Sequence, residues 1–118
     1  QGGVIVKQGS YDDFTEAPTT GYAYDTASTG GTTKYAVEAN PRAPNAWYNY
    51  IPTNHKIEAK AGWFFVVKTA EGKYAKMEIS EAVYGGNWDG NPTHFPDTLI
   101  YKFRYVYQPD GSTNLSLK

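Results

Sequence analysis

The chain has 118 residues, with 11 Lys plus Arg against 12 Asp plus Glu and no Cys. That is the length of one domain, 1–118, and its formal charge of −1 supplies no global field for nucleic acid or an anionic membrane surface. The missing Cys excludes disulfides, thiolate metal sites and a cysteine nucleophile, and the sequence shows neither an apolar run of ~18 residues nor a charged-then-apolar leader. The first strand candidate is Val4-Ile5-Val6, a β-branched run. Residues 8–33 are polar and rich in Gly, Ser, Thr and Asp, which predicts loops with short strands at most; Asp12, Asp13 and Glu16 could start one helical turn. Residues 34–40 alternate weakly and are expected as a strand. Pro41 and Pro44 then force a loop, because each removes a backbone donor and biases its predecessor away from helix. Residues 46–51, with Trp47, Tyr48 and Tyr50, are again strand-like up to Pro52.

The second half carries the firmest pattern. Trp63-Phe64-Phe65-Val66-Val67-Lys68-Thr69 is a continuous apolar and β-branched run, expected to be buried on both faces. Ala70-Glu71-Gly72-Lys73 is a turn with Gly available for positive φ. Residues 74–80 then alternate with period two, which predicts a hairpin. Ala75, Met77 and Ile79 share the face assigned to the core, and Tyr74, Lys76 and Glu78 share the other. Residues 84–98 form a connection of about 15 residues, longer than usual, and such loops are often functional. A third strand at 99–108 places Leu99, Tyr101, Phe103, Tyr105 and Tyr107 on one face, with Lys102 and Arg104 on the other. Asp110-Gly111 is a turn after which residues 112–118 could pair back as a last strand. The aromatic excess, 11 Tyr, 5 Phe and 3 Trp beside 12 Gly and 7 Pro, suits this reading: an all-β protein of mainly antiparallel sheets with long loops.

Catalytic constellations are absent. The two histidines, His55 and His94, stand in no triad setting, and no nucleophile elbow, phosphate-binding loop or dinucleotide fingerprint occurs. Two isolated histidines do not make a zinc site. Asn87, Asp89 and Asn91 alternate like the start of a calcium loop, but Pro92 and Thr98 occupy the places that need Gly and an acid. The reading is therefore non-enzymatic. Haem is the cofactor with the lowest ligand demand, one or two axial side chains in an aromatic pocket. His94, His55 and Met77 are conceivable ligands, although Met77 on a strand face is first of all a packing residue.

Residues 62–77, Gly62-Trp63-Phe64-Phe65-Val66-Val67 through Ala75-Lys76-Met77, resemble the central hairpin of the HmuY-like family. Tyr101-Lys102-Phe103-Arg104-Tyr105-Val106-Tyr107 resembles its closing aromatic strand, and Gly2-Gly3-Val4 with Ala17-Pro18-Thr19 and Gly21-Tyr22 resemble its middle segment. The resemblance implies an HmuY-like fold and a haemophore-type binding role for haem or another flat hydrophobic ligand. It implies a lipoprotein at the outer membrane or cell surface of a Gram-negative bacterium, or a secreted one, working beside a TonB-dependent receptor. The family's axial His follows a stretch matched here by Trp47-Tyr48-Asn49-Tyr50-Ile51, but the next residue is Pro52, which cannot ligate iron, and residues 30–40 hold neither His nor Met. The family's ligand pair therefore does not carry over. The expected pocket is Trp47, Tyr48, Tyr50, Trp88 and Phe95, with His94 or His55 on the iron. The missing pair equally suits an accessory subunit of an outer-membrane transporter or assembly complex that uses the fold without haem. Against the family's domain, the chain starts at Gln1-Gly2-Gly3, inside the opening strands, so a sheet edge is expected to be covered by an N-terminal piece, another protein or self-association.

Overall fold

The computed structural model describes residues 2–27, 33–37, 40–44, 46–53, 55–84, 91 and 99–116. Among them there is no helix, and eight strands follow in chain order. These are β1 (Gly3–Gln8), β2 (Thr26–Ala27), β3 (Thr33–Lys34), β4 (Tyr48–Ile51), β5 (Lys56–Ala59), β6 (Trp63–Lys68), β7 (Tyr74–Tyr84) and β8 (Leu99–Gln108). All pairings are antiparallel: a four-stranded sheet in the order β1-β6-β7-β8, and the two-stranded ribbons β2-β3 and β4-β5. The all-β expectation holds.

The predicted hairpin forms as read. Gly72 sits at φ +79°, which a side chain would oppose, and the turn closes with Gly72 N–H on Thr69 O (3.0 Å) and Thr69 N–H on Lys73 O (2.8 Å). β6 is buried on both faces at Phe64, Phe65 and Val66. β7 runs on for 11 residues and pairs along β8, with a bulge between Ile79 and Glu81.

Register sorts the side chains into two sheets of contact. On one face stand Ile5, Phe64, Val66, Tyr74, Lys76, Glu78, Arg104, Val106 and Gln108. On the other stand Val4, Val6, Phe65, Val67, Ala75, Met77, Ile79, Phe103, Tyr105 and Tyr107. The closed core lies on the first face. Tyr11, Ala17 and Leu115 pack there on Phe64, Val66 and Tyr74, with Ile5, Phe14, Tyr22 and Val106 at the margin. Tyr11 and Phe14 meet the Phe64 ring edge-on, at centroid distances of 5.8 and 5.2 Å.

This reverses the assignment drawn from the alternation in 74–80. The face of Lys76 and Glu78 is the covered one, and the face of Met77 and Ile79 is not sealed into the core. Lys76 is 3 % exposed, and its ammonium donates to the carbonyls of Tyr11 and of Phe14 (2.9 Å). Those bonds replace the water the charge has lost, which is the condition for burying it. Lys76 Nζ and the Arg104 guanidinium both lie over the Tyr11 ring, at 4.2 and 4.1 Å from its centroid. Arg104 is in turn bonded to Glu78 (2.9 Å) and Asp12 (3.0 Å), so the two cations face two carboxylates.

Other expectations are corrected in detail. Residues 11–13 make a turn, closed by Phe14 N–H on Tyr11 O (3.3 Å), and no helix follows. The strand expected at 34–40 reduces to the two residues of β3, with 38 and 39 outside the described residues. The last segment pairs not with β8 but with residues 15–17: Leu115 N–H donates to Thr15 O and Ala17 N–H to Thr113 O, both at 2.8 Å, around the bridge Glu16–Asn114. At the outer edge of β1, Val4 is bridged by Ala23 of the same chain through two hydrogen bonds, of 2.8 and 2.9 Å. Gly3 permits this approach, since a Cβ there would stand 2.8 Å from Tyr22 Cβ.

Replacing Lys76 by Met should destabilise the fold by about 1–3 kcal/mol in urea unfolding, because two carbonyls lose their donor under a closed layer. Burial lowers the Lys76 pKa from its ordinary 10.5. Between the lowered value and 10.5 the unfolded chain binds the extra proton, so this group's contribution to stability rises with pH across that window. The variant should lack that rising component.

Candidate functional site

Among the described residues the other face of the four-stranded sheet is not closed over, and it forms an apolar groove of about 390 Å³. Neighbouring strands supply its floor in register: Val4 opposite Val67, Phe65 opposite Met77, and Ile79 opposite Phe103. Trp47 and Tyr101 wall one side and Val37 contributes at the rim. The volume falls in the range of small-molecule sites. The lining offers van der Waals contact and ring faces, and its polar or polarizable side-chain ends among the described residues are the Met77 sulfur, the Tyr101 phenol and the Trp47 indole N–H.

The β4-β5 ribbon adjoins the groove. Trp47, just before β4, meets Phe65 and Tyr101 at centroid distances of 6.2 Å each, and Tyr48 stacks on Trp47 at 5.0 Å. β5 lies against β7. The turn between β4 and β5 holds His55 at φ +58°, the left-handed region, where His is met more often than most side chains. That conformation brings His55 Nδ1 to 2.6 Å from the Tyr50 hydroxyl. Tyr50 is 43 % exposed and His55 half-buried.

Of the residues proposed from sequence, the structure places Trp47 in the groove wall, Tyr48 against it, and Tyr50 with His55 in a hydrogen-bonded pair on the ribbon. His94, Trp88 and Phe95 lie outside the described residues. The sequence reading missed Val4, Phe65, Val67, Ile79, Tyr101 and Phe103 as site residues, and took Met77 first for packing. Their signal was present as period-two alternation on β7 and β8 and as continuous apolar runs on β1 and β6. It was assigned to the core because an apolar face normally is one.

Beyond the groove, β8 keeps an aromatic row in contact with solvent. Tyr101, Phe103, Tyr105 and Tyr107 are 45, 55, 66 and 43 % exposed. Among the described residues no strand pairs with the outer edge of β8, and no group of three His, Asp or Glu stands together to hold a metal ion. Compared with known proteins, the chain matches no protein-family model and no curated protein.

Two phenylalanines on the same sheet face separate packing from display. Phe65 is 5 % exposed beneath Trp47, so Phe65→Ala should cost about 3–5 kcal/mol. Phe103 is 55 % exposed, so Phe103→Ala should cost under about 0.5 kcal/mol. Chemical denaturation of both variants checks the contrast; equal losses would mean that the groove is closed in solution.

Proposed function

We propose that the protein is a non-enzymatic binding protein of haemophore type, which takes haem or another flat hydrophobic ligand in the groove. The carrying observation is the groove itself: a slot floored by Phe65, Val67, Met77 and Ile79, walled by Trp47 and rimmed by partly exposed rings. An apolar surface left open to water is unfavourable by roughly 25 cal/mol per Å², so a fold that keeps one has a use for it. Planar rings along one wall and the floor suit a planar guest, which stacks on them with little loss of side-chain freedom. The resemblance of residues 62–77 and 101–107 to the HmuY-like family supports the same reading and supplies its setting: a lipoprotein or secreted protein at the Gram-negative outer membrane or cell surface, delivering its ligand to a TonB-dependent receptor. The apolar, ring-bearing lining suits the faces of a porphyrin macrocycle.

A second reading, an accessory subunit of an outer-membrane complex that binds no haem, is favoured by the solvent-exposed β8. Its row of aromatics and its unpaired outer edge offer a surface that another protein's strand could cover.

Titration with haemin should give a sharpened, red-shifted Soret band and quench tryptophan fluorescence, with the quenching reduced in Trp47→Phe. Met77→Lys, which sets a charge on the groove floor, should weaken binding at least roughly tenfold, the equivalent of about 1.4 kcal/mol. A free-haemin spectrum throughout, with the native chain recovered from membranes in a fixed-stoichiometry complex, would replace the first reading by the second.

A further inference from the structure

We propose that the outer edge of β8 is the seam of a homodimer, in which two copies of the chain pair β8 with β8, antiparallel, about a two-fold axis at Tyr105. The two four-stranded sheets then continue into one. The inference does not depend on the haem-binding reading.

The argument starts from what β8 leaves open. Among the described residues no strand pairs with its outer edge. On one face Tyr101, Phe103, Tyr105 and Tyr107 are 45, 55, 66 and 43 % exposed, and on the other Ile100 is 53 % exposed. A long apolar edge is a template for further pairing, and chains that stay single blunt such edges with prolines, bulges or unpaired charges. β8 carries none of these. Pro109 stands just past its last residue, and the bulge lies on the inner partner, between Ile79 and Glu81 of β7. Its two cations are already balanced within the chain. Lys102 meets Glu81 (3.3 Å), and Arg104 meets Glu78 (2.9 Å) and Asp12 (3.0 Å). They therefore repel an approaching strand little.

A second copy is the occupant because β8 complements itself. In-phase antiparallel pairing keeps rings opposite rings, whereas a slip by one residue sets rings against cations. An axis at Phe103 would place Lys102 opposite Arg104, and an axis at Arg104 would place that residue opposite itself; both set like charges together. An axis at Tyr105 avoids this. Arg104 then faces Val106, Lys102 faces Gln108, and Phe103 faces Tyr107. Pairing runs over residues 102–108 and stops before Pro109, which has no N–H to give. Tyr101, which Trp47 touches, stays outside the seam, so the groove wall need not move.

The size of the seam sets its strength. A fully covered aromatic side chain buries 150–250 Å², so four half-exposed rings offer roughly 400 Å² per copy. With the strand backbones and the Lys102 and Arg104 stems, the two copies together reach about 1,000 Å², the lower end for a specific interface. A reversible dimer of micromolar affinity is the expectation. Its two-fold axis stands perpendicular to the sheet, so both grooves open on the same face. Phe103 lines the groove, and Tyr107 of the second copy stands opposite it, adding a ring at the groove's open side.

Sedimentation velocity of the whole chain from about 1 to 200 µM should show monomer passing to dimer as concentration rises. Tyr105→Lys sets two ammonium groups against each other at the axis and should weaken self-association at least roughly tenfold. Ile100→Lys, outside the paired stretch, should dimerise like the native chain. Far-UV circular dichroism verifies that each variant is folded. The chain has no Cys, so introduced cysteines report the register alone. Under mild oxidation Tyr105→Cys should cross-link to itself. Phe103→Cys should not, but should cross-link when mixed with Tyr107→Cys. A native chain that stays monomeric throughout overturns the proposal and leaves the edge to a different protein. A dimer that Tyr105→Lys does not weaken overturns it in favour of another surface. Self-cross-linking by Phe103→Cys but not by Tyr105→Cys overturns the axis.

Discussion

The burial of one ammonium group decides how this sheet is used. Lys76, the third residue of β7, lies beneath the segment 9–17, and its charge is held by the carbonyls of Tyr11 and Phe14. An unpaired buried charge would not be tolerated, and a mobile segment could not supply two carbonyls in fixed positions, so the bond and the covering segment depend on each other. Around them the Tyr11 ring accepts two cations on its faces while Asp12 and Glu78 balance Arg104. The polar side of the β7 alternation thereby becomes the closed side.

The consequence appears on the opposite face. With the 9–17 and 109–116 segments committed to the Lys76 side, the apolar side is screened, among the described residues, only in part by Val37, Trp47 and the β4-β5 ribbon. What is left is a groove whose floor is backed from the Lys76 side by the closed core, and whose walls come from separate segments. A packed layer below and rings above is a sound arrangement for gripping a planar molecule. The Tyr50–His55 pair stands outside the groove lining, on the β4-β5 ribbon, where the left-handed turn at His55 brings its ring nitrogen to the Tyr50 hydroxyl.

Much of the framework was legible before any coordinates. The Trp63–Lys68 run, the turn at Gly72 and the strand at 99–108 are local signals: β-branched and aromatic residues favour extended chain, and a glycine marks positive φ. Trp47, Tyr48, Tyr50 and His55 were legible as a cluster because aromatic residues crowd one short segment. Their roles were not. A Tyr five residues from a His says nothing of a hydrogen bond until a two-stranded ribbon with a left-handed turn folds one onto the other.

What the amino-acid order determines alone is the class, all-β and antiparallel, and the two sets of side chains on each strand, since a period of two follows from strand geometry without any neighbour. Which set is covered is a tertiary matter. Alternation reports that two faces differ; it does not say that the lysine face will find carbonyls to bury it or that the methionine face will stay open. That choice depends on contacts across 62 and 65 residues of chain, from Phe14 and Tyr11 to Lys76. No local propensity encodes a contact at that separation, because its free energy exists only once both segments are in place.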